Sequence, residues 1–227
     1  ILEEKREFLL PDGRMILLPE EWFSKYGNLL ELGTQTETGI RLKPTFVGAV
    51  QSALEENGPK NLPFKREIRN VPVPQGLKAE LRPYQQKGFS WMVQLNKQGF
   101  GGCLADDMGL GKTLQVISLL TAEQEEMQSG EKELRRSLIV CPASLVYNWQ
   151  KEISRFAPQL QTVIVAGSVP ERASIIRHSK EGEILITSYD LLKRDAEVYQ
   201  KFVFAIQVID EAQYIKNPST QAAKGVK

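Results

Sequence analysis

Two kinds of apolar pattern divide the chain. In the front part Phe8-Leu9-Leu10 and Met15-Ile16-Leu17-Leu18 flank Pro11-Asp12-Gly13, two short apolar runs around a turn sequence, which predicts a hairpin. Pro19-Glu20-Glu21 then opens a pattern in which Trp22, Phe23, Tyr26, Leu29 and Leu30 recur at helical intervals, an expected core-facing stripe. A second helix is expected from Pro44 through Phe46, Val47, Val50 and Leu54 to a stop at Asn57-Gly58. Prolines at 59, 63, 72 and 74 then stiffen the chain into a connector. The expected division is an α+β accessory segment over residues 1–75 and a larger lobe over residues 76–227.

Beyond the connector, strand-sized apolar runs alternate with helical patterns. Strands are expected at Gly102 to Ala105, Leu138 to Cys141, Thr162 to Val165, Ile184 to Thr187 and Phe202 to Ile209. Continuous apolar runs separated by helices predict a parallel sheet buried on both faces, an α/β lobe.

Composition changes this picture little. The 41% hydrophobic and 25% charged residues are ordinary globular values. No run reaches the roughly 20 apolar residues of a membrane helix, and Ile1-Leu2-Glu3-Glu4-Lys5-Arg6 does not read as a signal peptide, so a cytoplasmic protein without membrane contact is expected. The start without Met suggests an excised piece of a longer protein. With 29 basic against 28 acidic residues, charge alone gives no hint of a nucleic-acid partner. Cys103 and Cys141 lie in apolar, strand-like contexts without zinc-ligand spacing, and both are expected as reduced core residues. The single histidine, His178, is expected at the surface.

The chemistry concentrates in two places. Leu104-Ala105-Asp106-Asp107-Met108-Gly109-Leu110-Gly111-Lys112-Thr113 leaves an expected strand, turns through two glycines and enters the helix starting Leu114-Gln115-Val116-Ile117. Small residues there let successive backbone N–H groups face one anion, with a helix N-terminus behind them. Lys112 would reach the outer phosphates and Thr113 would offer a hydroxyl to Mg²⁺. The strict phosphate-loop pattern has glycine where this chain has Asp106. Val208-Ile209-Asp210-Glu211-Ala212-Gln213 ends a second expected strand with adjacent carboxylates, the position at which strand termini face a ligand crevice. Asp210 would hold Mg²⁺ and Glu211 would orient or deprotonate an attacking water.

The Asp-Glu-Ala-Gln box running into Tyr214-Ile215-Lys216-Asn217-Pro218 resembles that of Swi/Snf-family, superfamily-two helicase-like ATPases of bacterial type. Leu81-Arg82-Pro83-Tyr84-Gln85-Gln86-Lys87-Gly88-Phe89-Ser90-Trp91-Met92 looks like the family's adenine-recognition segment, with Gln85 at the adenine edge and Arg82 beside it, although an ordinary helix start would read similarly. Asp107, Met108, Gly109, Leu110, Gly111, Lys112 and Thr113 fall on its phosphate loop. Ser144, Asn148 and Trp149 in the segment from Cys141 to Glu152, and Thr187-Ser188-Tyr189, resemble segments that face DNA, with plain core packing the competing reading for Trp149 and Tyr189. Gln213 falls at a coupling position.

The resemblance covers about two thirds of the chain, from Leu77 onward. It implies a RecA-like lobe binding ATP and Mg²⁺, with Lys112, Asp210 and Glu211 as catalytic residues. The parent protein would be a DNA-dependent ATPase translocating on double-stranded DNA, and in a bacterium it would be nucleoid-associated. It also implies a further strand past Pro218 and a second RecA-like lobe supplying arginine fingers, without which this chain is expected to bind nucleotide and turn it over negligibly. A P-loop NTPase acting on other substrates, and a nucleotide-binding scaffold without motor activity, are the alternatives.

Overall fold

The computed structural model describes residues 68–215 and, ahead of them, four short strands. The chain divides into two compact units, residues 1–68 with 95–101 and residues 69–94 with 102–227. In the first unit β1 (Glu7–Leu9) and β2 (Met15–Leu17) pair antiparallel in the expected hairpin, Phe8 opposite Ile16. A second antiparallel pair, β3 (Gly33–Thr36) with β4 (Gly39–Leu42), has no counterpart in the sequence reading, because Thr, Gln and Gly give it no apolar alternation. The helices expected after Pro19 and Pro44, and the tail Lys216-Asn217-Pro218, lie outside the described residues.

The second unit is built on helix α1 (Pro83–Lys97, which runs on into the first unit), α2 (Lys112–Gln128), β5 (Arg136–Cys141), α3 (Val146–Phe156, after a 3₁₀ turn at Ala143–Leu145) and β6 (Thr162–Ile164). It continues with α4 (Val169–His178), β7 (Ile184–Ser188), α5 (Tyr189–Arg194), α6 (Ala196–Tyr199), β8 (Phe204–Ile209) and a 3₁₀ turn at Ala212–Ile215. The four strands form one parallel sheet in the order β6-β7-β5-β8.

Strand periodicity sorts the apolar residues onto two faces. Ile139 and Cys141 of β5 and Ile184 and Ile186 of β7 pack with Ile117 and Leu120 of α2 and Val146, Trp149 and Ile153 of α3. Their neighbours Leu138, Val140 and Leu185 pack on the opposite side with Ile176 of α4, Tyr189 and Leu192 of α5 and Tyr199 of α6. Burial on both faces is why these strands read as unbroken apolar runs, and each fully buried Ile or Leu contributes roughly 1.5–3 kcal/mol. The second core also encloses an ion pair. Arg172 Nε donates to Asp195 Oδ2 at 2.6 Å, Nη2 to Oδ1 at 2.9 Å and Nη1 to the Gly167 carbonyl at 2.7 Å. Asp195 holds the Arg172 guanidinium above its ordinary range despite burial.

Gly102 to Ala105 corrects the sequence reading, because it forms no strand. Only Leu104 is partly buried there, and glycine and alanine have little to place on a sheet, so nothing offsets the entropy of extending the stretch. In consequence Cys103 is exposed and not in the core, while Cys141 is buried as expected, and both thiols are free. His178 is exposed, its Nδ1 2.8 Å from the Ser174 carbonyl oxygen. Among the described residues no helix is long and apolar enough to cross a membrane.

Candidate nucleotide site

Pro83 starts α1 with its φ preset for a helix and no N–H to satisfy. Two residues on, Gln85 turns back so that its Oε1 accepts from the Arg82 N–H at 2.9 Å, which closes the helix start. Its other end crosses to the glycine loop, where Gln85 Nε2 donates to the Leu110 carbonyl at 3.1 Å and Tyr84 Oη donates to the same oxygen at 3.2 Å. Arg82 itself is exposed. Gln85 is therefore buried against the glycine loop, with one amide hydrogen and one lone pair still available.

The loop takes its shape from two left-handed glycines, Gly109 at φ 83° and Gly111 at φ 73°. A Cβ at Gly109 would meet open space, so that position asks only for conformational freedom, whereas a Cβ at Gly111 would lie 2.4 Å from Gln85 Nε2. Met108 and Leu110 are exposed. Lys112, the first residue of α2, folds over the loop and donates from Nζ to the carbonyls of Asp106 at 2.7 Å and Asp107 at 2.9 Å. Thr113 follows, half-buried in the first turn of α2.

Asp106, the departure from the strict loop pattern, accepts at Oδ2 from Gln115 Nε2 at 3.3 Å. Gln115 is fully buried in α2, and its Oε1 has no partner. The sequence reading missed both Gln115 and Tyr84. A polar residue inside the run Leu114 to Ile117 was the available signal for the first.

At the carboxyl end of β8 the Asp210 N–H donates to the Val140 carbonyl at 2.8 Å, extending the ladder by one residue. Ile206 and Val208 pack in the core beneath α2 and α3, so strand alternation puts Asp210 on that same face. There Asp210 Oδ2 accepts from Trp149 Nε1 of α3 at 2.9 Å, and Oδ1 accepts from the Glu211 N–H at 2.9 Å. Tyr189 Oη donates to the Asp210 carbonyl at 2.5 Å, and its ring stacks on Tyr214 with centroids 5.3 Å apart. Glu211 is left-handed at φ 53° and accepts from the Gln213 side-chain amide. Burial first, and then the Asp210 charge, push the Cys141 thiol up to about 12 and the Tyr189 hydroxyl up to about 12.

Helix α2, which the glycine loop leads into, and Asp210 thus lie on the same face of the sheet. Lys112 and Asp210 are each hydrogen-bonded to other partners, Lys112 to the loop carbonyls and Asp210 to Trp149. The expected DNA-facing set divides. Ser144 and Asn148 are exposed, whereas Trp149, Thr187, Ser188 and Tyr189 are buried, as the core-packing reading of Trp149 and Tyr189 expects. The hydroxyl of Ser188 instead accepts the Leu191 N–H at 3.4 Å at the start of α5.

Comparison with known proteins agrees with this arrangement. The SNF2-related domain family matches residues 84–227. The TATA-binding protein-associated factor mot1 of Aspergillus fumigatus is 40% identical over 169 residues, 71% of this chain and 9% of that protein. A putative ATP-dependent helicase/translocase of Bacillus subtilis, YwqA, is 37% identical over 156 residues, 68% of this chain and 16% of its own length. The SWI2/SNF2 ATPase core of Sulfolobus solfataricus, solved in complex with dsDNA, superposes with a TM-score of 0.58 at 43% identity, covering 69% of this chain and 31% of that one. The described sheet and its flanking helices are thus those of a RecA-like ATPase core. This chain spans a small part of these relatives, which come from a fungus, a bacterium and an archaeon. The narrower bacterial type, and with it a bacterial nucleoid location, is not supported.

Proposed function

The chain belongs to the SNF2-related family, and on that basis we propose that its second unit is the nucleotide-binding lobe of a DNA-dependent ATPase that moves along double-stranded DNA. The observation that carries the reading is the glycine loop closed by Lys112 at the start of α2, the helix that packs on the sheet face where Asp210 lies. A loop of this kind binds a triphosphate through its N–H groups and the α2 N-terminus. Lys112 exchanges the carbonyls of Asp106 and Asp107 for phosphate oxygens. Gln85, beside Leu110, is positioned to read the adenine edge, with Arg82 flanking it.

The donor set fits Mg²⁺, a hard cation that takes oxygen ligands and keeps several waters. The Thr113 hydroxyl and the Asp210 carboxylate would hold it, and it would supply charge neutralisation on the phosphates. Glu211 aligns the attacking water, and Gln213, hydrogen-bonded to Glu211, couples that carboxylate to its surroundings. Ser144 and Asn148, exposed around the start of α3, are the proposed DNA phosphate contacts. A second RecA-like lobe completes the site, and residues 1–75 form an accessory domain.

The test is ATP hydrolysis by the full-length protein with and without duplex DNA, together with nucleotide binding by this chain. Lys112→Ala is expected to abolish binding, and duplex DNA is expected to raise hydrolysis. A wild-type protein that neither binds Mg²⁺–ATP nor responds to duplex DNA refutes the assignment.

A further inference from the structure

Trp149 and Tyr189 come from different segments and sit in different cores. Trp149 belongs to the cluster beneath α2 and α3, and Tyr189 to the cluster on the opposite face of the sheet. Their polar atoms nevertheless end on one residue, the indole N–H on the Asp210 carboxylate and the phenol on the Asp210 carbonyl. We propose that Trp149 and Tyr189 are positioning residues that grip Asp210 from both faces of the sheet and fix its carboxylate for the metal–nucleotide site. The proposal rests on the nucleotide-site reading above.

Three observations carry it. First, a buried indole needs only some acceptor, and a neutral carbonyl would serve. Here it takes a carboxylate oxygen, and the Glu211 N–H takes the other. A carboxylate offers about four lone-pair sites, so these two donors set its plane and leave about half of the sites free for a cation or its waters. Second, Tyr189 fixes the peptide that follows Asp210, and its ring stacks on Tyr214 in the 3₁₀ turn beyond Glu211. The left-handed Glu211 therefore lies between two anchored points. Third, neighbouring residues on the segment that carries Trp149 are open to solvent, because Ser144 and Asn148 are exposed while Trp149 is 4% exposed. The sequence reading left Trp149 and Tyr189 between a DNA-facing role and core packing; both are buried, with their polar atoms on Asp210.

The test uses the full-length protein with Trp149→Phe, which keeps an aromatic ring and deletes the N–H, and Tyr189→Phe, which keeps the stack on Tyr214 and deletes the hydroxyl. Removing a hydrogen-bond partner of a metal ligand typically weakens the metal about 10- to 100-fold. Trp149→Phe is accordingly expected to raise the Mg²⁺ concentration for half-maximal hydrolysis by about tenfold, lowering kcat at limiting Mg²⁺ with the ATP KM at saturating Mg²⁺ little changed. A purely structural role would lower the melting temperature and leave the Mg²⁺ midpoint in place.

A second readout needs no turnover and is made on this 227-residue chain, whose three tryptophans are Trp22, Trp91 and Trp149. The indole N–H resonance that disappears in Trp149→Phe is expected to shift when Mg²⁺ with a non-hydrolysable ATP analogue is added to wild type, and not with the analogue in EDTA. If Trp149→Phe does not fold, Trp91→Phe and Trp22→Phe assign the resonance by elimination, and Tyr189→Phe supplies the Mg²⁺ midpoint. Unchanged midpoints in the variants, or an indole resonance indifferent to metal, overturn this proposal while the nucleotide site stands. A wild-type protein whose nucleotide binding ignores divalent metal overturns both.

Discussion

Gly88 lies in α1, where alanine would ordinarily stabilise a helix by about 1 kcal/mol. The surroundings reverse that sign. A Cβ at this position would stand 2.0 Å from Gln115 Oε1 and 3.2 Å from its Cδ. Gln115 is fully buried in α2, so its amide can yield only by leaving the Asp106 carboxylate. That bond is long, at 3.3 Å, and Asp106 is exposed, so its loss costs toward the low end of roughly 1.5–3 kcal/mol for a hydrogen bond to a charged group. Forcing a methyl into a packed site adds about 1–3 kcal/mol. Set against the gain of about 1 kcal/mol from helix propensity, Gly88→Ala is expected to be destabilising by about 1.5–3.5 kcal/mol net. It should also loosen the loop that Asp106 begins. Urea unfolding of Gly88→Ala, Gln115→Ala and the double variant, each with a nucleotide-affinity measurement, forms the cycle. Shortening Gln115 removes the obstacle, so the double variant is expected to be more stable than additivity allows by at least about 1 kcal/mol. A Gly88→Ala protein as stable as wild type, or more so, would refute this account of how α1, α2 and the loop are joined.

Other consequences can be measured on the same protein. Asp195→Ala leaves the Arg172 guanidinium buried without its carboxylate, both side chains being 3% exposed, and is expected to cost about 3–5 kcal/mol in urea unfolding; Arg172→Met with Asp195→Leu should recover most of it, and a loss below about 1 kcal/mol would contradict the buried pair. Folding holds the Cys141 thiol protonated up to about 12 against an ordinary 9.0, so above pH 9 the unfolded chain binds fewer protons than the folded one and stability falls as pH rises. The slope reaches at most about 1.4 kcal/mol per pH unit, is confined to the window between 9 and 12, and should flatten between pH 9 and 10 in Cys141→Ala; an equally steep decline in that variant would mean the thiol is not responsible. Thiol labelling of the native protein at pH 8 is expected to modify Cys103 fast and Cys141 only on unfolding, and fast labelling of both would contradict the burial of β5. Lys112→Ala frees two carbonyls in an exposed loop, where water replaces the ammonium, so the unfolding midpoint should move by no more than about 0.5 kcal/mol; a large loss would assign Lys112 to the fold.

What could be read from the sequence was what periodicity reports. The four strands of the sheet stand where apolar runs ended at glycine, proline or polar clusters, and burial on both faces follows from the lack of alternation in Leu138 to Cys141 and Ile184 to Ile186. The fifth expected strand failed because Gly102 to Ala105 carries no side chain that a sheet could bury apart from Leu104. Periodicity also says nothing about which atom satisfies a buried polar group. Trp149 and Tyr189 satisfied both a core pattern and a family pattern, and neither pattern contains their acceptor, which lies on β8 far away in sequence. The partner of Gln115 was hidden for the same reason, since it is the Asp106 carboxylate in the loop ahead of it, while Gly88 of α1 leaves room for its amide oxygen.

Two loops at the nucleotide site use left-handed backbone, and they solve its cost differently. At Gly109 and Gly111 the residue has no Cβ, so the conformation is free of strain and the N–H groups can approach an anion. At Glu211 the proposed function needs the side chain, so glycine would not serve and the chain bears roughly 1–2 kcal/mol of left-handed strain. Such strain persists only where the surroundings over-determine it. The anchors are present on each side: the ladder bond to Val140, the Trp149 and Tyr189 bonds to Asp210, the Gln213 amide and the Tyr189–Tyr214 stack. Because most of these contacts come through Asp210, the proposed metal ligand and the proposed water-orienting carboxylate are held as one body. Loosening the first misplaces the second, and that makes the donors around Asp210, more than the carboxylates alone, the part of this site that sets its geometry.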